Sequence, residues 1–271
     1  MRRHIRGLDH VVILVRDLDR ARDTYARLGF TLTPRGYHSL GSQNHCIMLG
    51  RDYIELMAVP QPHPAIRYFS DFLANGEGLG AIALATDDAG GAHAELTRSG
   101  IAAEAPLDLS RPVEGLGEAR FRLVQLPPGQ TPGCRMFLCQ HLTREIVWRP
   151  EYQSHSVGAI EIAAVAVVAE DAAGYAGVFD YKPRRIKEGL LVESGSAPLV
   201  VSDRQKMKIR LGSASLPKRA PPFVAALFVR VADRAGAATA LRRGGFSPVA
   251  LRDGSFAIGA EQANGVALVF G

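Results

Sequence analysis

Three stretches of this chain repeat one pattern: an apolar run, an aspartate, and a glycine twelve positions after that aspartate. HVVILV leads to Asp17 and Gly29, GAIALAT to Asp88 and Gly100, and VAALFVRV to Asp233 and Gly245. A further run, IEIAAVAVVA, leads through Glu170-Asp171 to AAGYAGVFDY, an eroded fourth copy. Each mark has a physical reason. The apolar run suits a strand buried on at least one face. The aspartate suits a helix N-cap, where its carboxylate accepts from free N–H groups at the positive end of the helix dipole. The glycine suits a left-handed residue that ends the helix. With more strand-like runs after it, the unit reads as βαβββ, and copies of such a unit bury their faces against one another.

The expected fold class is therefore α+β: four pseudo-repeats of βαβββ forming open, curved mixed sheets. The modules are expected at 7–60, 78–148, 160–210 and 223–270. They group into an N-terminal pair within 1–150 and a shorter, degenerate pair within 151–271, and the third is expected to lack a full set of strands. Pro-rich VPQPHPAI and LPKRAPP mark two of the boundaries.

A chain of 271 residues with 47% hydrophobic residues can bury a real core. Its net charge of +5 comes from scattered arginines without a basic run, which is a poor pattern for nucleic acid. No apolar stretch has the length of a membrane span, and the VVILV run is too short for a signal peptide. Cys46, Cys134 and Cys139 are odd in number and lack paired spacing, which argues against a disulfide framework. The expectation is a cytoplasmic protein without nucleic-acid or membrane partners.

Chemistry-bearing residues crowd the first unit. His10 interrupts its first apolar strand, and Glu55 lies in YIELMAV, where an unpaired carboxylate is costly to bury. Arg35 and Arg51 are the alternative partners for that carboxylate. His38, Asn44 and His45 flank the LGSQN turn as pocket polar groups, with His38 and His45 as candidate acid–base catalysts. Strand alternation sets Asn44 and His45 on opposite faces, and does the same to Gln140 and His141. Arg111 and Trp148 are candidates for a pocket mouth. Cys46 and Cys139, in apolar strands, read as inert core thiols.

DHVVILVRDLDRA, HSLGSQNH and YIEL resemble the opening module of glyoxalase-like proteins in the vicinal oxygen chelate superfamily, which also holds bleomycin-resistance proteins and extradiol dioxygenases. MFLCQHLTREIVWRPEYQSH resembles the end of a second module in a glyoxalase-like branch. The resemblance implies paired modules around a divalent metal (Fe, Mn, Zn or Ni), with ligands from the first and last strands of each. His10 and Glu55 match the two positions of module one. In module two the first-strand position falls on Ala81, which cannot bind metal, and the last-strand position falls near Gln140 or His141. The implied metal set is His10, Glu55 and His141. Asn44, Gln140, Arg111 and Trp148 are left to bind a small substrate with vicinal oxygens. The alternative is a metal-free protein that sequesters a small molecule on the same fold. The His-poor third and fourth units, with Glu161 and Glu193 on their strands, are expected to close one side of the site or to form a homodimer surface.

Overall fold

The computed structural model describes residues 2–271. The first unit runs β1 (Leu8–Leu14), α1 (Leu18–Arg27), β2 (Gly36–Tyr37), β3 (Gln43–Met48) and β4 (Tyr53–Ala58). After α2 (Arg67–Ala74) come β5 (Gly78–Ala85), α3 (Ala89–Arg98), β6 (Leu107–Val113), β7 (Gly117–Gln125), β8 (Arg135–His141) and the short α4 (Arg144–Val147). The caps follow the sequence marks. Asp17 and Asp88 accept from Arg20 N–H and Gly91 N–H, and Gly29 and Gly100 are left-handed at φ 90° and 76°.

These strands form one eight-stranded mixed sheet, ordered β2-β3-β4-β1-β5-β8-β7-β6. The first strands of the two units, β1 and β5, lie antiparallel at its centre, each with its own fourth strand parallel beside it. The outer edges bend round to meet, and Ser39 N–H on the β2 side donates to Ser110 O of β6 at 2.9 Å. The sheet thus nearly closes on itself and encloses its inner face.

Residues 159–270 repeat this arrangement. β9 (Ala159–Val168), α5 (Ala173–Phe179), β10 (Arg184–Ile186), β11 (Gly189–Val192), β12 (Leu199–Ser202) and α6 (Arg204–Leu211) come first. β13 (Phe223–Val231), α7 (Arg234–Arg243), β14 (Val249–Ala250), β15 (Phe256–Ile258) and β16 (Ala267–Phe270) complete a second eight-stranded sheet, ordered β10-β11-β12-β9-β13-β16-β15-β14. The unit expected to lack a full set of strands has three short ones after its helix, β10 to β12; their brevity weakens the sequence signal. Asp233 caps α7 and Gly245 is left-handed, as in the first sheet. α5 has no side-chain N-cap, and Asp171 bonds Ala173 N–H instead.

Alternate strand residues separate two environments. Val11 and Ile13 of β1, Val165 and Val167 of β9, and Tyr25, Tyr175 and Phe179 from the helices share one core between the sheets. Facing inward from the first sheet, Val12, Cys46, Tyr53 and Met57 form a separate cluster. The inner face of the second sheet is filled by its own α6, whose Met207 and Leu211 pack on Ala166, Ala225 and Val269. That leaves the inner face of the first sheet as the open cup. All three cysteines are free and buried. Among the described residues, no helix is long and apolar enough to cross a membrane.

Polar contacts stitch the connector 149–158 and β9 onto the first unit. His155 accepts from Thr31 N–H at 3.0 Å and donates to Met48 O at 2.8 Å. Asp52, fully buried, accepts from Ile162 N–H at 3.0 Å and leaves its other oxygen without a partner. Burial pushes the Asp52 carboxyl up to about 7. The native state therefore holds a proton that the unfolded chain releases near pH 4, so stability falls as pH rises from about 4 to about 7. In Asp52→Asn, which keeps an acceptor for Ile162, we expect melting at pH 8 to rise relative to wild type by the equivalent of about 2–4 kcal/mol. The two proteins should converge near pH 4. A constant difference across that range in thermal melts contradicts this reading.

Candidate functional site

The inner cup of the first sheet is polar at one end and apolar elsewhere. About 720 Å³ of empty space lies in it, open solvent at its mouth included. Its polar end is built by an irregularity in β1. Leu8 pairs with Leu84 but His10 pairs with Ala83, so Asp9 and His10 together face one partner residue. Such a bulge re-aims side chains. Leu8 stays in the core between the sheets, whereas His10 lines the cup, although plain alternation would put both on one face. Asp9 is buried beside it.

Asp9 Oδ2 accepts from two imidazoles, His10 Nδ1 at 2.6 Å and His141 Nε2 at 3.0 Å, and so ties β1 to the end of β8. Burial pushes its carboxyl up, but the hydrogen bonds and charges of these two rings outweigh that and hold it well below the usual carboxylate range. With Nδ1 engaged, His10 points Nε2 into the cup, 3.6 Å from Glu55 Oε2. The other Glu55 oxygen accepts from Asn44 Nδ2 at 2.6 Å. His38 completes the group: its Nε2 is 3.4 Å from Asn44 Nδ2 and 4.0 Å from Glu55 Oε1, and its Nδ1 is 2.8 Å from Ser42 Oγ. An amide N–H facing Nε2 makes that nitrogen the acceptor and leaves the proton on Nδ1, directed at Ser42. Burial pulls His38 down to about 4, so the ring is neutral at physiological pH. Neither Arg35 nor Arg51 reaches Glu55; they pair with Asp19 and Glu161.

His10, Glu55, His38, Asn44 and Arg111 thus share one cavity. Four other residues singled out from the sequence stand elsewhere. His45, on the opposite face of β3, bonds Thr33 O at 2.8 Å and lies outside the cup. Gln140 turns outward and holds the start of α3, accepting from Ala89 N–H and donating to Asp87 O. His141 faces inward but supports Asp9 and comes no closer than 4.0 Å to Glu55, so it is not a third partner for that carboxylate. Trp148 packs edge-on against Tyr53 and His141 behind the cavity wall, with Arg144 stacked on its other side.

Strand register also relocates the expected ligand position of module two. Val12 pairs with Glu55 across β1 and β4, and the corresponding Ala83 pairs with Phe137 across β5 and β8. β5 carries a matching irregularity at Gly80, where β1 has Asp9. The four equivalent inward positions are therefore His10, Glu55, Ala81 and Phe137. Only the first unit supplies donors.

Two arrangements have metal-ligand chemistry. Asp9, His10, Cys139 and His141 bring ligand atoms within 4.8 Å of one another, although burial pushes the Cys139 thiol well above its ordinary value. That group already closes on itself through two hydrogen bonds. On the cavity side, the 3.6 Å between His10 Nε2 and Glu55 Oε2 is too long for a hydrogen bond. It matches the separation of two donors on one ion at about 2.1 Å each, roughly 3–3.6 Å. His10 and Glu55 are thus two donors at a spacing one divalent ion could span, with Asp9 as the carboxylate that fixes the histidine.

Comparison with known proteins agrees with this architecture. A profile of the Glyoxalase-like domain family matches residues 8–180. Two solved structures share the fold over nearly the whole chain. One is a hypothetical protein from Staphylococcus aureus (TM-score 0.67, 15% identity, 97% of this chain and 98% of that one). The other is a mutant 4-hydroxymandelate synthase from Streptomyces coelicolor (TM-score 0.63, 13% identity, 98% and 92%). A methylmalonyl-CoA epimerase from Mycobacterium tuberculosis aligns with 53% of this chain and 94% of its own at 22% identity, with a TM-score of 0.44. A search of curated proteins returns no match. With that profile spanning more than half its length, the chain belongs to the Glyoxalase-like domain family.

Proposed function

We propose that this protein is a metal-dependent enzyme acting on a small substrate with two neighbouring oxygens, in the inner cup of the first sheet. The observation that carries the reading is the open 3.6 Å gap between His10 Nε2 and Glu55 Oε2, both aimed into an apolar cavity. His10 and Glu55, with His38 beside them, would hold a divalent ion, which would supply Lewis-acid chemistry toward a carbonyl, enolate or alkoxide oxygen. The remaining work falls to side chains. Asp9 fixes the tautomer and direction of His10. Asn44 holds Glu55 and faces His38 Nε2, whose lone pair, released from the amide, is able to take a proton from bound substrate and return it. Phe69, Phe121 and Leu123 line the cup and exclude water, which strengthens each of these polar contacts.

A second reading rests on Ala81 and Phe137. With donors missing at two of four equivalent positions, the same cup suits a metal-free protein that sequesters a small molecule. Metal binding separates the two. Chelator-treated protein should gain thermal stability on titration with Fe²⁺, Mn²⁺, Zn²⁺ or Ni²⁺, because an ion bound only by the native state raises its melting point. We expect Glu55→Gln to lower metal affinity about tenfold or more, and Asp9→Asn by roughly 10–100-fold through loss of the His10 tether. His45→Ala should leave it unchanged. Unaltered affinity in Glu55→Gln rejects the proposed ion position, and no stabilisation by any of the four metals favours the second reading.

A further inference from the structure

One charge in the cup has no partner. Arg111, on β6 at the seam where the edges of the sheet meet, is 7% exposed and lines the cavity. Among the described residues no carboxylate lies within 4.0 Å of its guanidinium, and no side-chain or backbone acceptor takes a hydrogen bond from it. Every other arginine as buried has one: Arg135, 5% exposed, holds Glu104 and Leu126 O. Burying an uncompensated cation is costly, so its persistence in a pocket calls for an anion.

The wall opposite is cut away to make room. A Cβ on Gly36 of β2 would come within 3.0 Å of Arg111 Cδ and 3.2 Å of its Nη1, and within 2.4 Å of Asn44 Oδ1. That Asn44 oxygen is itself buried without a partner. Glycine at 36 thus lets the guanidinium and the amide stand side by side, facing the cavity. The apolar walls beyond, from Ile66, Phe69, Phe121, Leu123 and Val147, offer nothing for a second charge.

We propose that the substrate is a monoanionic carboxylate with an apolar body, its carboxylate seated on Arg111 and its body against the aromatic and aliphatic walls. This deepens the reading of the cup as a substrate site and rests on it for the identity of the ligand as substrate. A guanidinium matches a carboxylate with two parallel N–H···O bonds. One positive charge balances one negative charge. A phosphate dianion would be left half-neutralised in the same cup as Glu55, with no backbone N–H cluster to help it.

Calorimetry on the chelator-treated full chain tests this independently of any metal. 4-Phenylbutyrate, 4-phenylbutan-1-ol and 3-phenylpropyl phosphate share a phenylpropyl body and carry a monoanionic, an uncharged and a largely dianionic head. Wild type should bind the acid at least about tenfold more tightly than the alcohol, with the phosphate weaker than the acid. Arg111→Met should abolish the preference for the acid while leaving alcohol binding within about twofold. The same variant should melt at an equal or higher temperature than wild type, because it removes an uncompensated buried charge. Tighter binding of the phosphate than of the acid moves the ligand class to phosphate esters and overturns the assignment. Equal affinity for acid and alcohol, a preference that survives in Arg111→Met, or no binding of the acid each overturns it too. Arg111→Met should bind metal at least as tightly as wild type, because it removes a cation from the same cavity, so loss of the metal reading and loss of this one are told apart.

Discussion

The antiparallel pairing of β1 with β5 is the contact on which the candidate site depends. It sets the first strands of two units side by side, so that their inward faces form one floor, and the edges at β2 and β6 then close over it. The bulge at Asp9 is part of that pairing. Without it His10 would share a face with Leu8 and point into the core between the sheets. One extra residue in one strand turns a core position into a cavity position and brings a carboxylate in with it.

From there the electrostatics follow. Asp9 is buried with its charge compensated by two imidazoles, and it spends that compensation on holding His10 and His141 in fixed directions. Glu55 is held by Asn44, and Asn44 reaches His38. The gap at His10 Nε2, the unpartnered Asn44 oxygen and the uncompensated Arg111 are places where this network is unfinished, and His10 and Arg111 line the cavity. The second sheet has the same strand order, but α6 packs on its inner face against Ala166, Ala225 and Val269.

Much of the fold could be read before the structure was known, because the signals were local. Asp17, Asp88 and Asp233 cap helices, and Gly29, Gly100 and Gly245 adopt left-handed conformations, for reasons contained within a few residues of chain. His10, Glu55, His38, Asn44 and Arg111 were also legible, as polar residues in apolar surroundings. Which of two neighbours faces inward was not. Asn44 and His45 alternate, as do Gln140 and His141, and only register tells which member meets the cup. Asp9 was missed because a bulge overrides alternation and leaves no mark in a single sequence. Phe137 was missed as the partner position of Glu55 because the pairing of β5 with β8 fixes it, and nothing near Phe137 in the chain announces that pairing.

The central claim is that His10 and Glu55 are two donors to one ion. Anomalous diffraction from crystals grown with Mn²⁺ or Zn²⁺ tests it most directly. The account predicts a single peak in the cup, about 2.0–2.3 Å from both His10 Nε2 and a Glu55 oxygen. A peak instead among Asp9, Cys139 and His141, with Glu55 unengaged, would contradict it.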